Sequence, residues 1–138
     1  MNPPIDPVAT MPVNALLGFV FVERSASEAV LELPLRPELL QGQGRVHGGI
    51  LATLADTAAV WLLVPQVAEG HSLTSIEFKL NFVRPAVLER GPVRAVAKLV
   101  RRGRAVALAD VELSQQGQLV AKGLFTYLQP ELDERSGV

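Results

Sequence analysis

One nearly unbroken apolar run limits what this 138-residue chain can become: Ile50-Leu51-Ala52-Thr53-Leu54-Ala55-Asp56-Thr57-Ala58-Ala59-Val60-Trp61-Leu62-Leu63-Val64. Its residues favour helix, the glycines of His47-Gly48-Gly49 open it, and Pro65 marks its end. The expected helix runs from about Gly48 to Val64. Apolar side chains fall on nearly every side of it, so it has to be covered on nearly every side. The run reads as too short to span a bilayer, and it carries Asp56, so it is read as a core helix.

Strands supply the cover. Phe19 to Arg24 reads as a short strand, followed by a turn and a second strand over Ala29 to Leu35. In the second, Ala29, Leu31, Leu33 and Leu35 face one way and Val30 and Glu32 the other. Pro34 places an edge or a strand end there. Beyond the helix, Ser72 to Val83 alternates, with Ile76, Phe78, Leu80 and Phe82 on one face and Ser75, Glu77, Lys79 and Asn81 on the other. Three further strands, about Gly91 to Arg101, Arg104 to Ser114 and Gln118 to Leu128, are joined by tight turns at Arg102-Gly103 and Gln116-Gly117. This is an α+β pattern in which a single curved antiparallel sheet of five to six strands wraps one long helix. Residues 1–10 read as a flexible Pro-rich arm, 11–129 as the domain, and 130–138 as a polar tail.

Composition narrows the function. Thirteen basic residues against fourteen acidic ones leave no global field for nucleic acid or an anionic membrane. With no cysteine and two histidines, a protein-built zinc site is not expected. The N-terminus has neither a basic start nor an apolar run, so a soluble, cytoplasmic protein is expected.

Two features of the helix point to chemistry. Asp56 sits mid-helix among apolar neighbours, where a carboxylate is costly unless it is paired or hydrogen-bonded. It reads either as part of a wet stripe with Thr53 and Thr57 or as a general base or nucleophile. Gly48 and Gly49 sit at the helix start, where the first amide N–H groups lack intrahelical partners and lie at the positive end of the dipole. Such a terminus suits a developing oxyanion, although an ordinary loop-to-helix junction also explains the glycines. Eight residues separate Gly48 from Asp56, roughly 12 Å along the axis. One carbonyl cannot reach both on one helix. Two antiparallel copies of the helix solve this, so a two-fold dimer with shared sites is expected.

The segment Gln41-Gly42-Gln43-Gly44-Arg45-Val46-His47-Gly48-Gly49, followed by Asp56 on the helix, resembles the hot-dog-fold acyl-CoA thioesterases of the phenylacetate-pathway (PaaI) type. The likeness runs from about Leu16 to Tyr127. It implies hydrolysis of an acyl-CoA thioester by a homodimer or dimer of dimers, with no cofactor because CoA is part of the substrate. By this resemblance Asp56 is nucleophile or general base, and the Gly48 N–H polarises the thioester carbonyl. Gln41 lies near the thioester or the attacking water, His47 supports the loop, and Ser75 helps to position water. Relatives with a helix aspartate commonly carry Asn at the position of Gln41. Arg102, Gly103 and Arg104, with Arg101 beside them, mark the turn expected near the CoA phosphates. Trp61 and Phe82 are expected in core or dimer contacts.

Two rival readings stand on the same fold. A non-catalytic acyl-CoA-binding protein would keep the glycines but has no need of Asp56. A hot-dog dehydratase or hydratase would pair a histidine with an aspartate, whereas His47 belongs to the glycine motif and His71 to a loop. A pure interaction domain explains neither Gly48 nor Asp56.

Overall fold

The computed structural model describes residues 6–132. A short helix α1 (Pro12–Leu17) precedes strands β1 (Val20–Arg24) and β2 (Glu28–Leu33). The long helix α2 (Gly48–Leu63) follows, then β3 (Thr74–Phe82), β4 (Val93–Arg102), β5 (Val106–Gln115) and β6 (Gln118–Leu128). All six strands join one antiparallel sheet in the order β1-β2-β4-β5-β6-β3. The sheet packs on α2 through β2, β4 and β5. This is the hot-dog arrangement expected from the sequence.

The burial of α2 follows from its composition. Leu51, Leu54, Ala55, Ala58, Ala59, Trp61, Leu62 and Leu63 are all buried, against a wall of Ala95, Ala97, Ala107, Ala109 and Val111. Small wall residues let the helix approach the sheet closely. Each fully buried leucine here contributes about 1.5–3 kcal/mol relative to exposure. Together with the 3₁₀ turn that extends it to Gln66, α2 runs 19 residues at a mean hydropathy of 1.5. By length and composition that is enough to cross a bilayer, contrary to the sequence expectation. Half of it is buried inside the domain, as befits a core helix.

Several local expectations are corrected. Asp6 to Thr10, expected within a loose arm, are packed. Val8 is buried, and the Asp6 carboxylate accepts from the Trp61 indole N–H at 2.8 Å and pairs with Arg24 at 2.8 Å. Residues 1–5 and 133–138 of the expected arm and tail lie outside the described residues. The tail begins ordered, since Ser72 N–H donates to the Pro130 carbonyl and Leu132 N–H to that of Gly70. Val30 shares the face of Glu32, as expected, but is buried there. The second strand stops at Leu33, so Pro34 ends it.

The largest correction concerns β3. It is an outer strand, paired only with β6, and nearly all of it is exposed. A bulge between Ser75 and Glu77 interrupts its alternation. After the bulge Phe78, Leu80 and Phe82 oppose Phe125, Gly123 and Ala121; before it, Ser75 opposes Tyr127. Directly opposed residues share a face. Ser75 therefore leaves the Glu77–Lys79–Asn81 side and joins the face toward α2.

Candidate active site

The loop before α2 delivers the helix start to one end of β3. Leu39 and Val46 are buried and anchor it, while Gln41 to Arg45 form a tight turn closed by the Gln41 N–H to the Arg45 carbonyl at 2.7 Å. Gly44 takes a left-handed conformation, φ 77°, that suits glycine. The Gln41 side-chain oxygen accepts from the Gln43 N–H within this turn. The side chain borders the same groove as Gly48.

His47 caps the helix. Its Nδ1 accepts from the Gly49 N–H at 2.9 Å, which leaves the ring proton on Nε2. A Cβ on residue 49 would lie 2.9 Å from that ring, so the cap requires glycine there. The N–H groups of Ile50 and Leu51 donate to the His47 carbonyl. The Gly48 N–H is left over: among the described residues it meets no acceptor. A free N–H at a helix N-terminus carries the local positive end of the dipole. The Phe82 ring lies against Gly48, 3.4 Å from where a Cβ would stand. Gly48, Gln41, Leu51, Phe82 and Arg84 line an open groove of about 350 Å³.

Asp56 lies on the partly exposed side of α2, with Gly49, Ala52, Thr53 and Val60. It is half-buried, Thr57 beside it is buried, and the Thr53 hydroxyl donates to the Gly49 carbonyl at 2.8 Å. One carboxylate oxygen, Oδ1, accepts from the Tyr127 hydroxyl at 2.5 Å, and the same hydroxyl lies 3.3 Å from the Asp56 backbone carbonyl. Tyr127 is 1 % exposed. Burial foremost, and then the Asp56 charge and hydrogen bond, push its phenol far above the ordinary range, so it stays protonated and donating. Its cross-strand neighbour on β3 is Ser75, which puts Ser75, Tyr127 and Asp56 at one end of β3 and Phe82 with Gly48 at the other. Within one chain the carboxylate and the free N–H remain about two helical turns apart.

The arginine turn divides into two roles. Arg102, expected among the CoA-binding residues, is turned inward instead. It donates to the carbonyls of Leu63 at 2.7 Å and Gln66 at 3.0 Å, and to the Gln129 side chain at 2.6 Å. Desolvation lowers its guanidinium pKa. Gln129 in turn donates to the Gly103 carbonyl. A Cβ on Gly103 would lie 2.9 Å from the Val106 carbonyl oxygen, so the turn requires glycine. Arg101 and Arg104 stay exposed and border, with Val106, Leu108 and Thr126, a groove of about 430 Å³.

Sequence reasoning missed Tyr127 and the place of Phe82. Tyr127 stands 71 residues from Asp56, and only the strand pairing brings the two together. The available signal was that this is the sole tyrosine in an otherwise apolar alternation with Phe125. No group of three or more histidine, aspartate or glutamate side chains suited to a metal occurs among the described residues.

Comparison with known proteins places the fold and the family. The chain is 29 % identical over 134 residues to the medium/long-chain acyl-CoA thioesterase YigI of Escherichia coli, covering 86 % of this chain and 85 % of that one. It superposes with a TM-score of 0.79 at 32 % identity on a phenylacetic acid degradation-related protein from Ralstonia eutropha JMP134, over 87 % and 92 % of the two chains. The fold also matches a thioesterase from Haemophilus influenzae, with a TM-score of 0.85 at 20 % identity over 94 % and 90 %. The pattern of the Thioesterase superfamily matches residues 43–122, a span that holds both the helix-start glycines and Asp56. By that match, over more than half its length, the chain belongs to the thioesterase superfamily.

Proposed function

We propose that this protein hydrolyses an acyl-CoA thioester to a carboxylic acid and free CoA, at sites shared between two copies of the chain. The observation that carries the reading is the unengaged Gly48 N–H at the start of α2, on the same helix as a carboxylate held by a buried hydroxyl. In the reaction, the thioester carbonyl oxygen sits on the Gly48 N–H. Asp56 takes a proton from water, and the resulting hydroxide attacks the carbonyl carbon. The tetrahedral oxyanion is stabilised at the helix terminus. Its collapse breaks the C–S bond, and the thiolate leaves and takes up the proton. Direct attack by Asp56, through a mixed anhydride that water then hydrolyses, gives the same products. Gln41 and Ser75 are placed near the thioester or the water, and His47 holds the glycines in position.

The strand β3 supports the shared site. It is nine residues long, its outer edge has no neighbour among the described residues, and Ile76, Phe78 and Phe82 are about half exposed. An edge of this kind is a template for pairing. Its Ser75 end lies by Asp56 and its Phe82 end by Gly48. Two-fold antiparallel pairing of β3 with its copy sets Asp56 of one chain toward Gly48 of the other. A homodimer, alone or as half of a dimer of dimers, follows. The exposed Arg104 and Arg101, around Gly103, are the guanidiniums we assign to the CoA phosphates, with Arg102 holding the turn from behind.

The test is thiol release from a panel of acyl-CoAs. Asp56→Asn is expected to lower turnover by about 10²-fold or more, the scale of a lost acid–base group, with the dimer retained by size-exclusion chromatography. Wild-type turnover in that variant removes Asp56 from the reaction. Acyl-CoA binding without thiol release in the wild type replaces hydrolysis with a carrier function on the same fold.

A further inference from the structure

We infer that Tyr127 is a positioning residue for Asp56: its hydroxyl occupies Oδ1 and fixes the carboxylate rotamer, so that Oδ2 is the oxygen that acts on water or on the thioester. The assignment rests on the hydrolysis reading above and adds to it a residue outside the segment that carries the family match.

Three observations carry it. Both contacts of the hydroxyl end on Asp56, at Oδ1 and at the backbone carbonyl. The ring itself needs no hydroxyl to fill its place, because Phe125, two residues earlier on the same face, is fully buried without one. Among the described residues Oδ2 accepts no hydrogen bond, so the two oxygens of Asp56 are unequal. A carboxylate in mid-helix otherwise swings among rotamers, and a misplaced reacting atom is costly in rate. Tyr127 comes from β6, a strand held on both sides by β5 and β3. A rigid sheet thus fixes the group that fixes Asp56.

The test uses Tyr127→Phe, Asp56→Asn and the double variant, each assayed for thiol release with the best acyl-CoA of the panel. Tyr127→Phe is expected to lower kcat roughly tenfold, the scale of one hydrogen bond to a charged group, with KM changed less than about twofold. In the double variant the two losses are not expected to multiply, because Tyr127 acts only through Asp56. Because the chain has one tyrosine, growth on 3-fluorotyrosine places a single fluorine probe at this position, ortho to the hydroxyl. Its ¹⁹F resonance is expected to shift in Asp56→Asn while the thermal midpoint holds, which tests the contact even if Tyr127→Phe folds poorly. Wild-type kcat in a folded Tyr127→Phe, multiplying losses, or a ¹⁹F resonance indifferent to Asp56→Asn would each overturn the inference and leave the hydrolysis reading standing. No thiol release by the wild type with any acyl-CoA overturns both.

Discussion

At its C-terminal end α2 is closed by side chains; at its N-terminal end one backbone N–H is left open. The carbonyls of Trp61, Leu62, Leu63 and Gln66 accept from Arg24, Gln66, Arg102 and Arg102 respectively, and two guanidiniums lie at the negative end of the dipole. At the start, His47 serves Gly49, and Gly48 is served by nothing among the described residues. The same helix therefore has a finished end, which serves stability, and an unfinished end, which is available to a ligand. The first N–H groups of a helix lack intrahelical partners as a rule, so what sets Gly48 apart is its place in the wall of the groove.

The sharpest way to break this contrast is to delete the open N–H, with a ring whose Cβ would stand in van der Waals contact with Phe82, 3.4 Å away. Proline is favoured at the first helical position, and His47 already has the extended backbone that precedes proline comfortably, φ −60° and ψ 130°. Gly48→Pro is expected to lower kcat by about 10²–10³-fold, as for loss of one oxyanion donor, with the thermal midpoint little changed. Near-normal kcat in a folded Gly48→Pro would show that the open end is incidental.

At the closed end the expected effect is on stability. Arg102→Ala leaves the carbonyls of Leu63 and Gln66 without their donor and is expected to cost about 2–4 kcal/mol in denaturant unfolding. A raised KM for acyl-CoA with unchanged stability would instead restore Arg102 to phosphate binding. The smallest effect is expected at Asp6, which also belongs to the closed end. Burial raises its carboxyl pKa, but hydrogen bonds from Trp61 and Val8 and the charge of Arg24 outweigh this and hold it below the ordinary 3.8. Its stabilisation is therefore complete above that value and is lost as pH falls through the lower folded value. Emission from Trp61, the sole tryptophan, is expected to report undocking of residues 6–10 in that acid range and to lose the step in Asp6→Asn. An acid step unchanged in Asp6→Asn would assign it elsewhere.

The sequence made the helix, its glycine start and Asp56 legible because each is local: periodicity, caps and an out-of-place charge all lie within one stretch. The strands were legible for the same reason, to within a few residues. What was hidden depends on contacts far apart in the chain. The bulge that turns Ser75 toward α2 breaks an alternation that looked clean. Arg102 reads as one more residue of a basic turn until the helix end arrives beneath it. Tyr127 reads as a strand aromatic until β6 is laid beside β3. Asp6, in a Pro-rich start, gave no sign of the indole that it accepts from.

The strand order has a consequence for how the chain reaches this state. β3 is made before β4, β5 and β6, yet its only sheet partner among the described residues is β6, the last strand made. While the ribosome is still adding β4 to β6, the residues Ile76, Phe78 and Phe82 have no sheet to join. Pairing across so long a stretch closes a large loop and slows folding relative to local contacts. The edge that we propose joins two finished copies is thus also the part of the nascent chain that waits longest, and where premature association between chains has its best opportunity.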